Sequence, residues 1–108
     1  MDTIAHVENE LKKGVIAPHF LADHKAKLAA DYSFYAGQLE AIQVRKPKVW
    51  LELRKDNKSD TSTDRAYELT EDGTNEIGLE WKLKRIGKLI QALNSLLQVA
   101  EGEARNSF

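Results

Sequence analysis

From Leu79 onward the chain repeats apolar residues at alternating steps of four and three: Leu79, Leu83, Ile86, Ile90, Leu93, Leu97, Ala100 and Ala104. A 3.5-residue period gathers all of them on one side of an α-helix, whereas strand side chains alternate with period two. A stripe that long demands a partner helix. Leu89 and Leu96 widen it toward its C-terminal end, which calls for a second neighbour there. Residues 3–13 are the candidate, with Ile4, Val7 and Leu11 at steps of three and four and Gly14 as a stop. The main facing arm opens near Pro18, a residue tolerated in a first helical turn, and sets Leu21, Leu28, Tyr32, Tyr35, Leu39 and Ile42 on one face. Alanines at 22, 26, 29, 30, 36 and 41 favour helix and let a neighbour approach closely.

The connection between the arms, residues 47–78, admits two readings. Pro47 disfavours helical geometry in the residue before it, and Val49, Leu51 and Leu53 alternate as a strand would. A lone strand has no partner in this sequence, so a helix kinked at Pro47 and running to about Lys55 is preferred. DNKSD at 56–60 is the dense cluster of turn formers, and Asp60 or Ser62 can cap a new helix through TSTDRAYELTEDG. Gly73 either ends that helix or is absorbed into a longer one at a cost of about 1 kcal/mol. The expectation is an all-α chain: a long antiparallel, coiled-coil-like helical hairpin with a short N-terminal helix. It forms one domain over 1–108, with the short helix at about 3–13, a long arm at about 18–55, a turn at 56–60 and a second arm at about 61–104.

Charge tests that hairpin. Residues 43–58 carry Arg45, Lys46, Lys48, Arg54, Lys55 and Lys58 against Glu52 and Asp56, whereas residues 59–80 carry Asp60, Asp64, Glu68, Glu71, Asp72, Glu76 and Glu80 against Arg65. Folding back at 56–60 sets the basic block beside the acidic one, as flanking charges do in antiparallel coiled coils. Exposed pairs of this kind contribute only about 0 to 1 kcal/mol each, so they select register more than they stabilise.

Several functions are set aside. The chain has 108 residues and no cysteine, which removes disulfides, thiolate metal sites and cysteine nucleophiles. The acidic start MDTIAHVENELKK does not fit a signal peptide, and no run approaches the roughly 18 apolar residues of a membrane span; the expected location is the cytoplasm. Of three histidines only His19 and His24 are close, and a spacing of five puts them on different faces of a helix. HExxH and GxSxG are both absent. Glu71, Asp72, Glu76 and Glu80 form a one-sided acidic set that resembles a divalent-cation cluster, but a solvated face complementing the basic arm is the plainer account. No enzyme, cofactor or metal site is expected.

Binding surfaces are the more productive subject. Trp81, Lys84, Arg85 and Lys88 fall at i, i+3, i+4 and i+7, so an aromatic ring shares a helix face with three cations. Such a face can stack a base and neutralise phosphates. A second set, Arg45, Lys46, Lys48, Arg54, Lys55 and Lys58, surrounds Trp50 at the hairpin tip. The plainer alternative packs Trp81 and Ile77 against a partner helix while the lysines reach water, and a net charge of −1 argues against a dedicated nucleic-acid binder. Tyr32, Phe34, Tyr35, Ile77, Trp81, Leu89 and Leu96 are more apolar surface than so thin an assembly can cover, which points to a homo-oligomer or a protein partner and no membrane. The terminal EGEARNSF reads as a docking peptide or a frayed end.

The blocks SDTSTDRAYELTEDGTNEIGLEWKLKRIGKLIQALNSLL and AEGEARN, covering the C-terminal half, resemble small helical proteins encoded among the early, replication and recombination genes of phages and prophages. The resemblance implies a non-enzymatic accessory or adaptor protein of DNA metabolism or host takeover, and carries no functional residue with it. The alternative is a single-stranded nucleic-acid-binding protein using the tryptophan-centred patches.

Overall fold

A computed structural model of the chain describes residues 3–13 and 18–106, with the side chains of 13, 18, 100 and 103–106 excepted. Gly14 and the terminal Phe108 thus lie outside the described residues, as do the side chains of Ala100 and Ala104. The fold is all-α: α1 covers Thr3–Lys13, α2 Pro18–Arg54, α3 Asp60–Glu68 and α4 Glu71–Asn106. No strand occurs among the described residues.

The segment KVWLELRK is helical, the end of α2. Pro47 lies inside that helix; it donates nothing to the carbonyl of Gln43, and both residues are solvent-exposed. The helix stops where side chains compete for its last carbonyls. Asn57 Nδ2 donates to the Leu53 carbonyl at 2.8 Å and the Asp56 N–H donates to the same oxygen at 3.1 Å. The cap of α3 is Ser59 rather than Asp60 or Ser62. Its extended backbone, φ −144° and ψ 163°, turns its hydroxyl toward the Ser62 N–H at 3.1 Å, and the Ser62 hydroxyl accepts the Ser59 N–H at 3.3 Å. That is a reciprocal capping box with serine as both members.

The second arm, about 61–104, is two helices, broken at Leu69 and Thr70. Gly73 is not the breaker. Thr70 is: its hydroxyl accepts the Gly73 N–H at 3.0 Å, and Glu71 and Asp72 come next in the first turn of α4, where the helix dipole favours acids. Gly73 makes the joint tight. A Cβ there would lie 2.0 Å from the carbonyl oxygen of Tyr67, so only glycine lets the end of α3 approach the start of α4 this closely.

The chain divides into two compact units. One joins α1, α2 up to Ser33 and α4 from Lys84. Its core is Ile4 and Val7 of α1, Leu21 and Leu28 of α2, and Ile86 and Leu93 of α4, none more than 2% exposed. The seven-residue steps from Leu21 to Leu28 and from Ile86 to Leu93 are two helical turns, which keeps each pair on one face. As the widened stripe demands, α1 is the extra neighbour: Arg85 of α4 donates to Glu8, and His6 meets His24 of α2 edge-on at 5.2 Å.

The other unit comprises residues 34–83. Here α2 and α4 run antiparallel, as their pairings show: Lys82 over the ring of Tyr35, Glu76 with Lys46, and Asp72 with Arg45. α3 lies alongside both, and the buried side chains are Ile42, Thr63, Tyr67 and Glu76.

Candidate functional site

The buried centre of the 34–83 unit is polar. Tyr67 of α3 donates its phenol to Glu76 Oε2 at 2.7 Å, while Lys46 Nζ donates to Glu76 Oε1 at 3.1 Å and sits 4.8 Å from the Tyr67 ring centroid. Burial, followed by the hydrogen bond to Glu76, pushes the Tyr67 phenol well above its ordinary value. A phenol held neutral in this way is a donor and not a nucleophile. Beside it Arg45 grips Asp72 through two nitrogens, at 2.7 and 2.8 Å. The hydrogen bonds from Arg45 hold the Asp72 carboxyl below its usual range, and the same contact raises the guanidinium.

These pairings determine what becomes of the basic set around Trp50. Arg45 and Lys46 are held by Asp72 and Glu76, Arg54 donates to Asp60 at 3.0 Å and to the Asn57 carbonyl, and Lys55 donates to Glu52 at 3.2 Å. The Trp50 indole donates to Asp64 at 2.8 Å and is half-buried. Lys48 and Lys58 are exposed. The structure thus sets Arg45, Lys46 and Arg54 against acids of the 59–80 block, as the charge blocks anticipated. Of the acidic set, Asp72 and Glu76 pair with Arg45 and Lys46 while Glu71 and Glu80 are exposed, and no group of three metal-ligating side chains occurs among the described residues.

Trp81 belongs to the same unit and is 64% exposed. Lys84, Arg85 and Lys88 belong to the other unit, all exposed, with Arg85 donating to Glu8. Besides Trp81, the exterior of the 34–83 unit carries other large apolar groups: Phe34, Val44, Leu51, Leu69 and Ile77 are all exposed. Val44, Leu51 and Leu69 do not belong to the aromatic and leucine set that composition and periodicity single out. Tyr35, by contrast, is half-buried beneath Lys82.

The histidines combine differently from their spacing. His19 meets Phe20, with ring centroids 4.3 Å apart, and it is His6, on another helix, that touches His24. His24 is buried, its Nδ1 has no hydrogen-bond partner, and the two rings edge a groove of about 330 Å³ with Glu10, Phe20, Asp23 and Lys27. No signal within one helix announces a contact between residues so far apart in sequence. No helix among the described residues is long and apolar enough to cross a membrane. Comparison of the chain with known protein families, with curated proteins and with solved structures finds no match in any of the three.

Proposed function

We propose that this protein acts without catalysis, as an accessory or adaptor that binds another macromolecule through the apolar exterior of its 34–83 unit. One observation carries the reading: Phe34, Val44, Leu51, Leu69, Ile77 and Trp81 are between 44% and 86% exposed on a unit of only fifty residues. Scattered single hydrophobics are normal on a protein surface, but such a density is characteristic of an interface. The polar network agrees with this, because its carboxylates and cations neutralise one another and leave little charge for work on a substrate. The likeness of the C-terminal half to phage early-gene products gives the setting, DNA metabolism or host takeover.

Capture from nuclease-treated cell extract tests the reading, with the intact protein as bait beside a double variant, Ile77→Glu with Trp81→Glu. A protein retained by the first and lost by the second is the expected result. Retention that is identical for both baits counts against the apolar exterior. A second reading rests on the exposed indole of Trp81, which offers a stacking platform for a single-stranded base. In that case direct binding to single-stranded DNA falls steeply as salt rises, and Trp81→Ala weakens it by about 1 to 3 kcal/mol.

A further inference from the structure

A second side of α2, apart from the one that buries Ile42, carries its own heptad stripe: Phe34, Gly37, Ala41, Val44, Lys48 and Leu51 stand at steps of three and four. All six are exposed, with Val44 at 75%. Ile42, one residue from Ala41, is buried and supplies the inward seam, while Ala41, at the edge of the outward stripe, lines a groove with Thr74, Asn75 and Gly78 of α4. Gly37 sharpens the point. A Cβ there would meet nothing within 4 Å, so the protomer itself does not require glycine, although glycine in a helix interior costs about 0.5 to 1 kcal/mol relative to alanine.

We propose that this stripe is a self-association surface on which α2 of a second copy docks antiparallel, with the two-fold axis passing between Ile42 and Gln43. The register comes from size and charge. Antiparallel heptad packing opposes the two kinds of seam position, which here sets Phe34 against Leu51 of the second copy, Ala41 against Val44, and Lys48 over Gly37. Every large group then faces another large group or a small one, and the stem of Lys48 lies across a residue with no side chain. Glu40, exposed and one turn beyond Gly37, receives the Lys48 ammonium. The two-fold repeats each contact, giving two such charge pairs. A parallel arrangement instead places Lys48 against Lys48 and Gly37 against Gly37, with charge repelling and volume wasted. The antiparallel surface is therefore self-complementary, as a two-fold interface requires. Such a dimer covers Phe34, Val44 and Leu51 and leaves Leu69, Ile77 and Trp81 exposed for another macromolecule, so the Ile77→Glu with Trp81→Glu variant tests the adaptor reading separately.

The absence of cysteine makes the register directly testable in the full chain. In this register the two copies of residue 44 lie about 4 to 5 Å apart along the helix axes, and the two copies of residue 51 about 25 Å apart. Mild oxidation of a Val44→Cys variant should give a covalent dimer, and a Leu51→Cys variant should stay monomeric. Sedimentation of the unmodified protein should show a monomer–dimer equilibrium between micromolar and submillimolar concentration. Glu40→Lys and Lys48→Glu should each weaken it by roughly three- to ten-fold, and the two together should restore it. All of these positions are exposed, so unchanged circular dichroism verifies that each variant is folded. A strict monomer overturns the proposal. So does equal cross-linking at 44 and 51, or a double charge reversal no tighter than its singles.

Discussion

The unit formed by α1, the start of α2 and the end of α4 closes on six aliphatic side chains, each at most 2% exposed, whereas the 34–83 unit buries Glu76, Thr63 and Tyr67 beside a single aliphatic residue, Ile42. The first has the construction of an ordinary small core, in which each fully buried aliphatic group contributes about 1.5 to 3 kcal/mol. The second is fastened by directional bonds from α2 and α3 onto one carboxylate of α4, and it keeps much of its apolar surface outside. A unit held by hydrogen bonds and ion pairs can leave its hydrophobic groups free for another molecule. A unit that depends on burying them cannot. The division also separates tolerance from precision: aliphatic packing absorbs small changes of shape, while a bond of 2.7 Å between Tyr67 and Glu76 does not.

The largest expected effect would come from breaking the aliphatic side. Leu28→Ala removes a fully buried group and should cost about 2 to 5 kcal/mol in denaturant unfolding. Hydrogen exchange shows whether the contrast is real: amides of α1 should lose protection while those of α3 keep more of theirs. Equal loss in both would make the two units one cooperative body. Next in size is Gly73→Ala, whose added methyl falls against the Tyr67 carbonyl. Overpacking of this sort costs about 1 to 3 kcal/mol, and here the protection lost should centre on α3 and the first turn of α4.

The smallest effect sharpens the polar side. Tyr67→Phe should lower stability near neutral pH by about 1 kcal/mol, the net worth of one hydrogen bond. Because the folded state raises the phenol above its ordinary value near 10, that stabilisation is complete below pH about 10 and declines as pH rises past it, when the unfolded chain releases the proton first. The variant has no such group, so the two stability curves should converge in alkali. Parallel curves would show that the phenol gains nothing from its burial beside Glu76.

Most of the helical architecture is legible because period 3.5 survives without tertiary information. The stripe from Leu79 to Leu97, the short repeat of Ile4 and Val7, and the turn cluster at DNKSD each speak for themselves. The break between α3 and α4 is harder to read, since attention falls on Gly73 as a breaker. The better signal is Thr70 ahead of Glu71 and Asp72, a capping residue before an acidic first turn. Charge blocks foretell the pairing of Arg45 and Lys46 with Asp72 and Glu76. Two features are out of reach of local pattern. His6 meets His24 across two helices, and the outward stripe of α2 is masked because the inward one is stronger and accounts for the helix by itself.

Gly73 and Gly37 stand in helices of the same chain, yet they answer to different masters. At 73 any mutation strikes the protein's own backbone, so descent with modification should hold that glycine fixed wherever this fold persists. At 37 the protomer is indifferent, and drift toward alanine or a larger residue should ensue unless copies of the protein meet there. As lineages of this chain diverge, the first glycine becomes a marker of ancestry in shape, and the second a record of whether the molecule lives alone.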